Sequence, residues 1–156
     1  MSSTQVRAPV AGRAIPLHDV PDPVFSAGMV GYGAAVEPPS AVIDAVAPVS
    51  GKLLRLMPHA YVVMTADNVG VLVHLGLDTV SLKGEGFTTH VSQGDDVTAG
   101  QPIITYDVPT VQAKGLNPVV PVVVVDEREP GNVIPSDAVA SSIDIASGAA
   151  LFTANK

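Results

Sequence analysis

Glycine and proline interrupt this chain so often that they limit the secondary structure it can form. The 156 residues include 14 glycines and 14 prolines. Helices tolerate these residues poorly, whereas short strands joined by turns use them. The segments between them are short and rich in valine, as in residues 61–65, 71–75 and 119–125. The sequence therefore predicts an all-β fold, and the chain length suits one domain.

Two short sequence patterns each occur twice. Residues 8–13 read Ala-Pro-Val-Ala-Gly-Arg, and residues 47–52 read Ala-Pro-Val-Ser-Gly-Lys. Residues 96–100 read Asp-Val-Thr-Ala-Gly, and residues 144–148 read Asp-Ile-Ala-Ser-Gly. Each pattern has the form of a strand next to a tight glycine turn. Their order predicts an internally duplicated β-sandwich, and shared turn chemistry without duplication is the alternative.

The remaining segments complete the predicted organisation. Residues 1–7 are short and polar, and we expect a flexible N-terminal tail ahead of a domain over residues 8–156. Helical turns are expected only at residues 111–114 and 136–142. The longest apolar run, residues 118–125, contains two prolines and is too short to span a bilayer, so we expect no membrane insertion. With no signal-peptide pattern at the start, the expected location is cytoplasmic.

Charge and amino-acid content exclude several functions. Eight basic and fifteen acidic residues give a formal charge of −7, which disfavours nucleic acid or anionic lipid as the main partner. The chain has no cysteine, so disulfides, thiolate metal sites and a cysteine nucleophile are absent.

Two histidines are predicted to meet on one hairpin. His74 lies within the apolar run 71–75, and His59 begins the other strand of the same hairpin, ahead of residues 61–65. Centring the connecting loop between Asp67 and Asn68 pairs His74 with Tyr61, and centring it one residue earlier pairs the histidines directly. Either register places both imidazoles on one face, within about 5–8 Å at Cβ. A slip of a single residue would separate them.

A pair of imidazoles supports two kinds of chemistry. The pair could be half of a zinc site, with Asp78 as the nearest acidic candidate. Alternatively, one imidazole accepts a phosphoryl group as a phosphoramidate while the other donates a hydrogen bond to the phosphate oxygens. Nearby glycines would let backbone N–H groups approach the phosphate. His18 and His90 are predicted to be surface residues.

At this point a long motif resembles a known family. Residues 73–80, Val-His-Leu-Gly-Leu-Asp-Thr-Val, and residues 82–87, Leu-Lys-Gly-Glu-Gly-Phe, resemble the active-site region of glucose-type enzyme IIA. Glucose-type enzyme IIA proteins are components of the bacterial phosphoenolpyruvate-dependent sugar phosphotransferase system. Further matching segments are residues 19–25, 29–33, 47–51, 58–60 and 94–101. The resemblance covers almost the whole chain, from about Ala8 to Phe152.

The resemblance implies a fold and an activity. The fold is an antiparallel β-sandwich with a duplicated hybrid, or barrel-sandwich, motif. The activity is that of a phosphotransferase component without a resident cofactor, forming a transient phosphohistidine. His74 would accept a phosphoryl group from the phosphocarrier histidine protein and pass it to a cysteine in the IIB domain of a sugar permease, with His59 supporting the group. Modification is expected on Nε2, with Nδ1 held by a carbonyl near Gly76.

The resemblance also implies a docking face. Asp22 and Asp78 match acidic positions that meet basic partner side chains. The matching apolar surround is Phe25, Met29, Val30, Leu72 and Val80. A zinc ion shared by His59, His74 and a partner's carboxylate remains open as a regulatory contact, as does regulation of other transporters or enzymes. Met57 stands where family members often have a threonine, so the hydrogen-bond network around His59 is not carried over.

Other functional classes match less of the sequence. Residues 94–101 resemble the turns of swinging-arm carriers that bear biotin or lipoate. Those domains need an exposed lysine at a hairpin tip, and Lys52, Lys83, Lys114 and Lys156 lack that setting. A zinc peptidase on a related sandwich needs a His-x-His pair, which is missing. A non-catalytic binding module is the remaining alternative.

Overall fold

Short antiparallel strands form nearly all of the regular structure. The structure is a computed structural model and describes residues 3–155. The strands are β1 (Ser3–Arg7), β2 (Gly12–Pro16), β3 (Gly31–Glu37), β4 (Val42–Val46), β5 (Gly51–Met57), β6 (Ala60–Met64), β7 (Gly70–His74), β8 (Phe87–Thr89), β9 (Asp96–Val97), β10 (Pro102–Asp107), β11 (Val120–Val125), β12 (Val133–Pro135), β13 (Asp144–Ile145) and β14 (Ala150–Asn155). The helices are α1 (Pro23–Ser26), α2 (Val108–Ala113) and α3 (Asp137–Ser141), with 3-10 turns at Leu17–Asp19, Thr79–Leu82 and Pro130–Asn132. No helix within residues 3–155 is long and apolar enough to cross a membrane.

The strands pack as an antiparallel sandwich around one main core. An eight-stranded sheet has the order β13-β2-β3-β11-β7-β6-β5-β9, and two three-stranded sheets have the orders β1-β14-β12 and β4-β10-β8. Side chains from all three sheets, including Val36, Ile104 and Leu151, are completely buried in the main cluster. Since β-branched side chains pack well on pleated surfaces, the valine-rich runs provide most of this core. The predicted fold class is confirmed.

The strand order is symmetric about the boundary between β11 and β7. On one side lie β13, β2, β3 and β11, and on the other lie β9, β5, β6 and β7. Each set is completed by one three-stranded sheet, with β14 or β10 in its centre. We call β1–β3 with β11–β14 the outer half, and the contiguous β4–β10 the inner half. The inner half is thus inserted between β3 and β11 of the outer half.

Strand register shows that the symmetry reflects the sequence repeats. Arg13 pairs with Asp144 across β2 and β13, and Lys52 pairs with Asp96 across β5 and β9. These are equivalent members of the four repeated segments. The predicted internal duplication is therefore confirmed at the level of individual residue pairs.

Equivalent backbone hydrogen bonds join the two halves. The Arg7 N–H donates to the Pro48 carbonyl at 2.9 Å, and the Val46 N–H donates to the Pro9 carbonyl at 2.9 Å. Each proline belongs to the repeated Ala-Pro-Val segment of one half, and each donor belongs to the other half. The repeated segments therefore join the halves.

Gly12 and Gly51 are equivalent positions where the neighbouring backbone leaves no space for a Cβ atom. A Cβ on Gly12 would collide with the Glu37 carbonyl oxygen, and one on Gly51 with the Met64 carbonyl oxygen. We expect Gly12→Ala and Gly51→Ala each to lower the free energy of unfolding by about 2–3 kcal/mol, measured by urea denaturation. Gly131→Ala is the control, because nothing lies within 4 Å of its Cβ. Equal stability of Gly51→Ala and Gly131→Ala would contradict this packing.

Two expectations about local structure are wrong. Ser3–Arg7, predicted to be a flexible tail, is strand β1, which pairs with β14 and buries Val6 completely. One inward valine and a free strand edge are enough to order a polar segment. Met1 and Ser2 lie outside the described residues. Besides the predicted helical turns at α2 and α3, the chain forms α1 and three 3-10 turns, which are too short to give a periodic pattern.

Candidate functional site

The two histidines meet through a register that differs from both predicted ones. Ala60 pairs with His74 because the loop between β6 and β7 is centred on Asp67. Strict alternation would then put His59 on the opposite face. His59 instead lies in the turn between β5 and β6, where its carbonyl accepts the Leu75 N–H at 2.8 Å. The turn frees its side chain from alternation, and the ring centroids of His59 and His74 are 5.0 Å apart at 71°.

One hydrogen bond determines which nitrogen of His74 is free to react. Nδ1 lies 2.6 Å from the Gly76 carbonyl oxygen. A carbonyl only accepts, so Nδ1 carries the proton and Nε2 keeps its lone pair. Gly76 turns the chain back towards the ring with φ of +83°, a conformation that favours glycine. The nitrogen that keeps its lone pair is therefore Nε2.

The His74 ring packs on one side against the ring of Phe25. The Phe25 ring lies 5.3 Å from it, tilted by 57°. Phe25 is 6% exposed and belongs to a second, smaller core cluster with Leu77 and Val123, against which Val30 and Leu72 pack. This cluster desolvates His74 on one side, so the ring is held in a fixed orientation.

The apolar residues predicted to surround the site differ in exposure. Met29 is 62% exposed and Val80 is 65% exposed, whereas Val30 and Leu72 are half-buried and Phe25 is buried. Val24, which sequence reasoning did not single out, is 45% exposed beside Phe25. Its position in α1, a single helical turn that begins at a proline, is the signal that could have identified it.

Two carboxylates add negative charge near His74. Asp22 caps α1, since its Oδ1 accepts the Val24 N–H at 2.9 Å. Asp78 is exposed and has a left-handed backbone conformation with φ of 60°. Both act on the His74 ring electrostatically. Burial lowers the pKa of His74, while the Gly76 hydrogen bond and the two carboxylates oppose that change.

His59 is held neutral by its surroundings. The residue is 8% exposed, and burial lowers its pKa below the ordinary histidine value. The charge that His74 carries when protonated lowers the pKa of His59 further. Two adjacent imidazoles are therefore both available in their neutral forms at neutral pH, one as a nucleophile and one as a hydrogen-bond donor.

Comparison with known protein families covers most of the chain, beyond the two histidines. Residues 4–129 match the model described as "phosphoenolpyruvate-dependent sugar phosphotransferase system, EIIA 1". The chain belongs to this EIIA family. It is thus a component of a sugar phosphotransferase system.

Individual relatives agree with this EIIA assignment. The chain is 42% identical over 121 residues to a glucose-specific EIIA component from Oceanobacillus iheyensis, covering 76% of this chain and 72% of that relative. It is 41% identical over 140 residues to a mannose-specific EIIBCA component from Corynebacterium glutamicum, covering 88% of this chain but 20% of that longer protein. Among solved structures, glucose permease IIA from Mycoplasma capricolum matches with a TM-score of 0.84 and 34% identity, covering 98% of this chain and 96% of that one.

The duplication of the EIIA fold does not extend to its histidines. In the outer half, Gly33 pairs with Val123 as Ala60 pairs with His74 in the inner half. Val123 therefore occupies the position equivalent to His74, and Tyr32 precedes Gly33 as His59 precedes Ala60. The scaffold occurs twice, but the paired imidazoles occur once in residues 3–155.

The metal-binding capacity of the EIIA site is limited to its two imidazoles. No group of three or more His, Cys, Asp or Glu side chains that could hold a metal ion occurs in the described part of the chain. A zinc ion between His59 and His74 would need further ligands from another molecule.

The lowered pKa values predict how the EIIA site responds to pH. We expect both rings to titrate below about 6.5, the ordinary histidine value, in an NMR titration of their Cε1 protons. His74→Gln should raise the pKa of His59, since it removes the neighbouring charge. The unfolded chain binds protons at about 6.5 and the folded chain at lower pH, so stability should fall as pH drops through this window. A titration midpoint for either ring above the ordinary value would contradict the prediction.

Proposed function

We propose that this EIIA chain carries a phosphoryl group on Nε2 of His74. The observation that carries this proposal is the pair of imidazoles. His74 donates from Nδ1 to the Gly76 carbonyl at 2.6 Å and leaves Nε2 free. The ring centroid of His59 lies 5.0 Å from that of His74. A neutral nucleophile in a fixed tautomer, next to a hydrogen-bond donor, is what transfer through a phosphoramidate requires.

The donor is the phosphocarrier histidine protein, which brings the group as its own phosphohistidine. The Nε2 lone pair of His74 attacks phosphorus and a new Nε2–P bond forms. The donor's phosphorylated ring carries a proton on its other nitrogen, so when its N–P bond breaks the donor leaves as a neutral imidazole. The phosphorylated His74 ring gains positive character. The Gly76 carbonyl stabilises that charge because it accepts a stronger bond from Nδ1–H.

The acceptor is a cysteine in the IIB domain of a sugar permease. Its thiolate attacks phosphorus, the S–P bond forms, and the Nε2–P bond breaks, leaving His74 neutral again. His59 donates an N–H to a phosphoryl oxygen and holds the group for in-line attack. The relatives from Corynebacterium glutamicum and Bacillus subtilis named EIIBCA support this partner by their names, which combine A, B and C components in one protein.

Both partners would dock on the surface around the histidines. Exposed Met29 and Val80 offer apolar area that a partner can bury. Asp22 and Asp78 would meet basic partner side chains. Half-buried Val30 and Leu72 would complete the apolar surround with Phe25, whose ring contacts His74. Closing this surface would keep water from the phosphoramidate. A zinc contact with a partner's carboxylate and regulation of other transporters or enzymes would use the same face.

Reconstituted phosphorylation tests the proposal. The protein is incubated with phosphoenolpyruvate, enzyme I and the phosphocarrier histidine protein, and its intact mass and ³¹P spectrum are recorded. We expect one phosphoryl group per chain, labile in acid and stable in base, on an Nε2 atom. The proposal fails if an active donor system leaves the chain unmodified, or if the group is on a hydroxyl or carboxylate.

A further inference from the structure

Thr79 is a buried polar side chain that contacts the residue after His74. It is 1% exposed and begins the 3-10 turn Thr79–Leu82. Its Oγ1 donates to the Leu75 carbonyl at 2.8 Å. A buried hydroxyl with a backbone partner usually fixes a local conformation, because leaving the carbonyl without a donor costs free energy.

The carbonyl that Thr79 holds belongs to the residue between His74 and Gly76. Leu75 also donates its N–H to the His59 carbonyl at 2.8 Å. The N–H of Leu75 is therefore hydrogen-bonded to His59, and its carbonyl is hydrogen-bonded to Thr79. The direction of the Leu75 carbonyl determines where the chain places Gly76.

The methyl group of Thr79 packs against Gly76. A Cβ built on Gly76 would lie 2.6 Å from Thr79 Cγ2, so the two residues are in close contact. On the other side, the N–H groups of Gly76 and Leu77 donate to the carbonyls of Val119 and Asn117, at 3.0 and 2.9 Å. The Gly76 turn is thus enclosed between segment 117–119 and Thr79.

We propose that Thr79 is a positioning residue for phosphoryl transfer: its hydroxyl group holds the Leu75–Gly76 turn so that the Gly76 carbonyl keeps the proton of His74 on Nδ1. This role rests on the proposed function of His74. Thr79 does not touch the reacting atoms and acts through Gly76.

The consequence of losing Thr79 follows from imidazole chemistry. Without its hydroxyl, the Leu75 carbonyl has no side-chain donor, and the turn relaxes. The Gly76 carbonyl then moves away from Nδ1, and the tautomer with the proton on Nε2 becomes competitive. That tautomer cannot attack phosphorus through Nε2, because the lone pair there has been replaced by an N–H bond.

Two matched pairs of side chains isolate the hydroxyl. Thr79→Val keeps the shape of threonine without the hydroxyl, and Thr79→Ser and Thr79→Ala differ from each other by the same group. The tautomer of His74 is read from long-range ¹H–¹⁵N spectra of the unphosphorylated protein. We expect wild type and Thr79→Ser to hold the proton on Nδ1, and Thr79→Val and Thr79→Ala to show mixed tautomers, about five- to tenfold slower phosphoryl acceptance and a lower pKa of His74.

Thr65→Val is the control for loss of a threonine hydroxyl, and Thr65 lies at the turn of the β6–β7 hairpin that bears His74. Thr65 Oγ1 accepts the Val69 N–H at 3.1 Å, at the end of the β6–β7 hairpin remote from His74. It should leave the tautomer and the acceptance rate unchanged. The inference is overturned if Thr79→Val or Thr79→Ala keeps the wild-type tautomer and pKa of His74, even if either is less stable. The tautomer is measured without a phosphoryl donor, so this failure is distinct from a failure of wild type to become phosphorylated.

Discussion

We expect replacement of His74 by alanine to abolish phosphorylation of the chain in the reconstituted system, reducing acceptance by ~10³-fold or more. The reason is that, in the proposed function, the lone pair on Nε2 of His74 forms the bond to phosphorus. His59 is 8% exposed and has a lowered pKa, and its proposed role is to donate a hydrogen bond to the phosphoryl group, not to form the bond to phosphorus. The measurement is the initial rate of phosphoryl incorporation, followed by intact mass.

Controls separate the nucleophile from general effects on the fold. His74→Gln keeps much of the side-chain volume above Phe25 and should be as inactive as His74→Ala. His18→Ala and His90→Ala remove exposed histidines and should accept at the wild-type rate. Normal labelling of His74→Ala would show that the phosphoryl group is carried elsewhere.

Replacing His59 by alanine separates acceptance from donation. We expect the variant to take up phosphate at close to the wild-type rate but to pass it to the IIB cysteine ~100-fold more slowly. During acceptance, the group starts in the donor's own site. In the proposed donation step, the group starts on His74, and His59, whose ring centroid lies 5.0 Å from that of His74, is the hydrogen-bond donor that would orient it. Single-turnover transfer from the purified phosphorylated protein measures this step.

A variant that keeps an N–H donor refines the test. His59→Gln retains an amide that can bind a phosphoryl oxygen and should recover part of the donation rate. Its acceptance rate should match that of His59→Ala. If His59→Ala donates as fast as wild type, the supporting role of His59 is wrong, and the role of His74 is unaffected.

Local sequence patterns predicted the architecture because the fold is built from repeated short-range rules. The matching segments at residues 8–13 and 47–52 indicated two equivalent halves, and the pairs Arg13–Asp144 and Lys52–Asp96 follow from that duplication. Glycine turns and valine runs are local signals. The nesting of one half inside the other depends on contacts between distant strands, for which a single sequence contains no direct signal.

The contact between the His59 and His74 rings was predicted correctly, but through an incorrect register. Both expected hairpins placed His59 within a strand, whereas the structure places it in a turn, where alternation does not apply. The difference arises from a loop centred on one residue, Asp67. The sequence also did not predict which apolar side chains are buried. Phe25 and Met29 are both apolar, but Phe25 is buried and Met29 is exposed.

The nested arrangement determines the order in which strands can find their partners as the chain is synthesised. β1 is the first described strand to be made, and its partner β14 is the last, so Ser3 waits for Asn155. The inner half is complete once β10 has been made and needs no later residue for its own strand pairs. The hairpin bearing both histidines therefore pairs early. The Val119 and Asn117 carbonyls that accept from the Gly76 turn follow β10 in the chain, so the contacts that hold the Gly76 carbonyl beside His74 are complete only after the inner half has been made.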